Sequence, residues 1–151
     1  MRVLLDTNIF ISYLLHPTYE SPSARIIHSA LAETFTLLLP QELLEKLESR
    51  VLTKPYLRRY ILQEDVRELL DLLSEVVEPL PSLEYVIPRV TRDPKDDYLL
   101  AYAVVYGVDY LVSGDKDLLV LGEVEGVRIL SPREFISVLE QEIADDALGE
   151  Q

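Results

Sequence analysis

Two short apolar runs, Val3-Leu4-Leu5 and Tyr110-Leu111-Val112, end beside acids: Asp6 follows the first directly and Asp115 stands three residues past the second. Apolar runs without alternation suit central strands covered on both faces. A carboxylate at the end of such a strand is costly to shield from water. If two or three of these acids meet, a pair about 5 Å apart repels by roughly 3 kcal/mol at an effective dielectric near 20, so the cluster requires a neutralising partner. Hard oxygen donors suit Mg²⁺ or Mn²⁺, and with them phosphate chemistry.

The remaining chain alternates strand-like and helix-like segments. After Arg2 to Leu5, a helix is expected beyond the Asp6-Thr7-Asn8 corner, and a second from Ser21, with Ser21 as N-cap and Pro22 at the first helical position. Phe35 to Leu39 reads as a strand, and Gln41 to Val51 as an amphipathic helix through Leu43, Leu44, Leu47 and Val51. Gln63 to Val77 repeats that pattern. Prolines 79, 81 and 88 impose an extended passage, with a short strand expected at Tyr85 to Ile87. Lys95 to Tyr106 is a helix closed by Gly107, Tyr110 to Val112 and Val127 to Leu130 are strands, and the capping box Ser131-Pro132-Arg133-Glu134 opens a last helix to about Ile143. This order predicts an α/β fold: one parallel sheet with helices on both faces, because parallel strands need crossover connections. Sites in such folds gather at the carboxyl ends of strands, where Asp6 and Asp115 converge across the sequence. One domain over residues 1–144 and a frayed acidic tail over 145–151 are expected.

Composition narrows the chemistry. The chain of 151 residues has no cysteine, which excludes disulfides, thiolate metal sites and cysteine nucleophiles. No apolar stretch is long enough for a membrane helix, and the N-terminus has no signal-peptide pattern, so a cytoplasmic protein is expected. With 14 basic and 27 acidic residues, net −13, the surface as a whole repels nucleic acid. A local basic path is still available: Arg50, Lys54, Arg58 and Arg59 fall close together, and Arg89, Arg92, Lys95 and Lys116 flank the acidic segments. Ordinary solvated surface explains these cations equally well.

Each acid has a bland reading beside the functional one. Asp6 can be a turn or cap residue, but its position between Val3-Leu4-Leu5 and Ile9-Phe10-Ile11 favours function. Asn8 either caps the following helix or orients Asp6. Glu45 shares a charged helix face with Glu42 and Glu48, at the margin of the buried stripe. Asp93 before Pro94 is a good N-cap, which leaves Asp96 in the first turn to point towards Asp6, with Asp97 as the alternative. Asp115 can cap the segment from Lys116 to Leu121, and Asp117 is its substitute. His16 and His28 lack any nucleophile pattern, and no glycine-rich phosphate loop or GxSxG elbow occurs.

In order, Leu5-Asp6-Thr7-Asn8, Leu44-Glu45-Lys46-Leu47, Asp93-Pro94-Lys95-Asp96-Asp97-Tyr98-Leu99-Leu100-Ala101 and Leu111-Val112-Ser113-Gly114-Asp115-Lys116-Asp117-Leu118 resemble the PIN domain, particularly its toxin-like branch akin to VapC. The resemblance spans roughly residues 2 to 140. It implies an acidic quartet of Asp6, Glu45, Asp96 and Asp115, with Asn8 and Ser113 in support and Asp6, Asp96 and Asp115 as ligands of one or two Mg²⁺ or Mn²⁺ ions. Glu42 competes with Glu45 for the second place. Ser113 stands where the family often has threonine and keeps the hydroxyl. Such a protein is expected to be a ribonuclease that hydrolyses RNA with a cation-activated water, a homodimer, and inhibited by an antitoxin. Arg50, Lys54, Arg92 and Lys116 are the expected substrate-binding cations.

Two rivals use the same strand-end acid differently. A phosphohydrolase of the haloacid dehalogenase type would use Asp6 as nucleophile, but expects a second acid where this chain has Asn8. A receiver-like phosphorylation switch needs an acceptor Asp after a middle strand, where Pro40 stands.

Overall fold

A computed structural model describes residues 1–18, 20–81, 83 and 94–149, with residues 94–97 described by their backbone alone. The strand expected at Tyr85 to Ile87 lies outside the described residues. The elements run β1 (Arg2–Leu5), α1 (Thr7–Leu15), α2 (Pro22–Leu31), β2 (Thr36–Pro40), α3 (Gln41–Thr53), α4 (Pro55–Tyr60), α5 (Gln63–Ser74), β3 (Glu78–Leu80), α6 (Pro94–Val105), β4 (Tyr110–Val112), α7 (Lys116–Leu119), β5 (Glu123–Val124), β6 (Val127–Leu130) and α8 (Pro132–Gly149).

Among the described residues six strands form one sheet in the order β3-β2-β1-β4-β6-β5. The first five pair in parallel and helices flank them, as the alternation predicts. From β1 the chain winds outward to β2 and β3, then returns to the other side of β1 as β4. The order therefore reverses between β1 and β4, the place where such sheets open a crevice at their carboxyl ends. The register Val3↔Tyr110, Leu4↔Leu111, Leu5↔Val112 brings both strands to their ends together, so Asp6 and Ser113 emerge side by side.

Local signals set many of the boundaries. The Ser21 hydroxyl accepts from the Ala24 amide, with Pro22 at the first position of α2. Ser131 and Glu134 exchange both bonds of the capping box: the Glu134 amide donates to Ser131 Oγ at 3.2 Å and the Ser131 amide to Glu134 Oε1 at 3.0 Å. Gly107 stops α6 in the left-handed region at φ 61, which a residue without Cβ adopts without strain.

Three features depart from the sequence reading. The sheet is not wholly parallel: β5 pairs antiparallel with β6 through a tight turn in which Glu125 and Gly126 both have positive φ. The proline-rich passage contributes β3 at the sheet edge, where a proline costs least. The last helix runs past the end expected near Ile143, continuing to Gly149 with its residues exposed from Gln141 onward. Ala144, Ala147 and Leu148 are good helix formers, and no breaker precedes Gly149.

The central strands are fully enclosed: Val3, Leu4, Leu5, Leu111 and Val112 have no exposed surface, and the core continues through Phe10, Leu43, Leu47, Tyr102 and Phe135. Leu4→Ala should therefore lower the unfolding free energy by about 2–5 kcal/mol, measured by urea denaturation. A loss under about 1 kcal/mol would mean that β1 is not packed on both faces.

Candidate active site

Asp6 is the first residue after β1 and the N-cap of α1, yet its side chain makes no capping bond. It turns instead towards β4. Its amide donates to the Val112 carbonyl at 2.9 Å, continuing the ladder one residue past the strand, and its Oδ2 accepts the Ser113 hydroxyl at 2.7 Å. Asp6 is only 6% exposed, and no lysine or arginine among the described residues forms an ion pair with it. Among the described residues the carboxylate is met by one hydroxyl and the positive end of α1, less than a buried charge ordinarily receives.

Ser113, fully buried, uses its hydroxyl in both directions: it donates to Asp6 and accepts from the Asp115 amide at 3.0 Å. The Asp115 side chain caps α7, with Oδ1 accepting from the Asp117 amide at 2.8 Å. The capping role weighed for Asp115 is thus real, and it fixes the residue directly beside the Asp6–Ser113 pair. Lys116 follows on the exposed surface.

The opposite wall comes from α3 and α6. Glu42 and Glu45 lie one turn apart near the start of α3. Glu42 Oε1 accepts the Tyr102 hydroxyl at 2.9 Å, and that hydroxyl in turn accepts the Leu83 amide at 3.1 Å. Burial first, then the bond to Glu42, pushes the Tyr102 phenol up to about 12, so it stays a donor at neutral pH. Glu45 has no such tether and is exposed. One turn before Tyr102, the buried Tyr98 phenol is raised well above its ordinary value, chiefly by burial, with the negative fields of Asp6 and Glu42 adding to it; Thr7 and Arg50 pull the other way. Thr7 lies close enough to exert that pull, but the Tyr98 hydroxyl has no well-formed hydrogen bond among the described residues. Lys46 Nζ sits 3.7 Å from the centre of the Tyr98 ring.

Residues 94–97 form the first turn of α6, immediately before Tyr98. The side chains of Asp96 and Asp97 are not among those described, and Arg92 and Asp93 lie outside the described residues. Among the described residues no three acids or histidines are grouped as a cation cage. Asn8 is exposed and accepts a bond from Arg50 at 2.7 Å, which links α1 to α3. From there an open groove of about 730 Å³ runs along α3 past Glu42, Glu45, Lys46, Arg50 and Lys54 to Tyr56.

The sequence reading did not single out Tyr98 and Tyr102. Their signal was two phenols at helical spacing directly after Asp96-Asp97, in a helix otherwise rich in Leu, Ala and Val.

These features define a doubly wound α/β protein with Asp6, Ser113 and Asp115 joined at the switch point between β1 and β4. A PIN domain profile matches residues 2–117, and the chain belongs to that family. Among solved structures it is similar to a chain in the crystal structure of VapBC2 from Rickettsia felis bound to a DNA fragment from their promoter. That likeness has a TM-score of 0.55 at 13% sequence identity, covers 87% of this chain and 98% of the other, and extends to the fold. No curated protein matches the chain.

Ser113→Ala would leave Asp6 Oδ2 and the Asp115 amide each short of a partner in a dry setting, and should cost about 1–3 kcal/mol of stability. Ser113→Thr keeps the hydroxyl and should cost less. Denaturant titration of both variants checks this; equal stability of the alanine variant and the parent would show that the hydroxyl bridge does not hold the site.

Proposed function

We propose that the protein is a metal-dependent endoribonuclease, the toxin of a toxin–antitoxin pair. The observation that carries this reading is the Asp6 carboxylate, buried at the N-cap of α1 but turned away from capping and held by Ser113 beside Asp115. An all-oxygen donor set around an under-compensated buried acid fits a hard divalent cation. In this reading Asp6, Asp115 and Asp96 hold one or two Mg²⁺ or Mn²⁺ ions. Bound there, the ion supplies positive charge against the phosphate and lowers the pKa of water for attack on phosphorus.

The chain's own residues then divide the remaining work. Ser113 fixes the rotamer of Asp6 and the loop of Asp115, while Tyr102 engages Glu42 through its hydroxyl. With Glu42 so engaged, Glu45, exposed on the groove wall, would be the fourth acid of the quartet and would accept a hydrogen bond from the attacking water. Asn8 accepts from Arg50 on the groove wall; in this reading Asp117 and Asp97 would support the metal-binding acids, and Arg50, Lys54, Arg92 and Lys116 would neutralise phosphates on either side of the scissile bond. Family membership and the likeness to a toxin–antitoxin complex support an antitoxin partner; the homodimeric state is part of the same proposal. No described helix is long and apolar enough to cross a membrane.

The test is cleavage of RNA by purified protein with Mg²⁺ or Mn²⁺. Asp6→Asn combined with Asp115→Asn should lower the rate by about two orders of magnitude or more, and chelation should abolish cleavage until Mg²⁺ or Mn²⁺ is restored. Undiminished cleavage by the double variant, in a preparation free of contaminating nuclease, would refute the assignment.

A further inference from the structure

The groove wall is a single stripe of α3. Residues 42, 45, 46, 49, 50 and 53 recur at intervals of three and four, the spacing of one helical face. Charge along that stripe is sorted. Glu42 and Glu45 occupy the end beside the strand termini, while Lys46, Arg50 and Lys54 follow at intervals of one turn, about 6 Å of rise each. Beyond them stands Tyr56, which lines the same groove and is 63% exposed.

This arrangement has a counterpart in the sequence. Residues 49–63 contain four cations, Arg50, Lys54, Arg58 and Arg59, and no acid, in a chain with 27 acids among 151 residues. It is the longest acid-free interval in the chain, and it forms the far end of the groove. Within it α4 is anchored by Leu57, 1% exposed, with Tyr56 and Tyr60 on its open side. Tyr60, four residues after Tyr56, is 66% exposed, so two phenol rings follow one another along one helix face. A large aromatic left in water beside cations is poorly used as packing; as a platform, it offers a flat apolar face to a base whose phosphates the neighbouring cations neutralise.

We propose that the Tyr56 ring is a stacking platform for an unpaired base at the basic end of the groove. This rests on the ribonuclease reading above and adds a residue that seats the substrate beside the cations. A base inside a duplex has both faces covered by its neighbours, so it cannot stack on a side chain without being extruded. A strand entering along α3 would lay its phosphates on Arg50 and Lys54, its scissile bond at the acidic end and a flanking base on Tyr56, with Tyr60 continuing the face.

The chain contains no tryptophan, so Tyr56→Trp introduces a single indole at the proposed platform. In the Asp115→Asn background, which suppresses cleavage, titration with a short oligoadenylate should quench the emission of that indole, and the duplex of oligoadenylate with oligouridylate should not. Tyr56→Ala should weaken binding of the single strand about 5- to 150-fold, with Tyr56→Phe close to the parent. Absence of quenching, equal quenching by the duplex, or unchanged affinity in Tyr56→Ala overturns the proposal. So does an indole emission shift that follows protein concentration alone, since the rings would then face another protein surface. The two readings fail separately: cleavage by the parent with a silent indole in the Tyr56→Trp variant removes the platform only, whereas quenching without any metal-dependent cleavage removes the nuclease only.

Discussion

Burying Asp6 at the carboxyl end of the central strand imposes a debt on the fold that the described residues meet only in part. The side chain is withdrawn from water at the crossing of β1, α1 and β4, and the support it receives is one hydroxyl and a helix terminus. That hydroxyl is committed twice. Because Ser113 also accepts the Asp115 amide, the position of one acid is coupled to the loop that carries the other. The switch point of the sheet, the turn into α7 and the two acids are thus joined through one hydroxyl.

The second wall has a different logic. Tyr98 and Tyr102 project from α6 towards α1 and α3, and their raised phenol pKa values keep both protonated at neutral pH. Tyr102 settles the position of Glu42 by donating to it. Glu45, untethered and exposed, then faces the groove whose far end is basic. The charge of the whole chain is −13, yet along α3 the acids Glu42 and Glu45 sit at one end of the groove and the cations Lys46, Arg50 and Lys54 follow towards the other. On the proposed function, that sorting lets a polyanion approach along one line and repels it elsewhere.

What the sequence disclosed was mostly local or strictly ordered. Ser21, Pro22, Ser131 and Glu134 announce their helix starts because a cap needs only neighbours three residues away. The apolar runs of β1 and β4, broken by no charged residue after Arg2, announce buried parallel strands, and with them the approach of Asp6 to the loop of Ser113 and Asp115. The short helix α4 was not legible, since six residues are too few for a hydrophobic period to show. β5 is two residues long and its Glu125-Gly126 turn lacks the usual asparagine or aspartate, so the antiparallel edge went unseen. The Tyr102–Glu42 bond joins residues 60 positions apart and depends on how α6 docks on α3, which no local pattern encodes. Glu42 and Glu45 are alike by spacing; the long-range bond engages Glu42 alone, and the choice of Glu45 as the fourth acid belongs to the proposed function.

The central claim is that strand-end acids distant in sequence share a cation. Crystals of the protein soaked in Mn²⁺ test it most directly, through the anomalous signal of the metal. The account predicts a peak between the carboxylates of Asp6 and Asp115, absent from crystals of the Asp6→Asn variant. A well-ordered pocket with no peak there, in crystals that bind Mn²⁺ elsewhere, would contradict it.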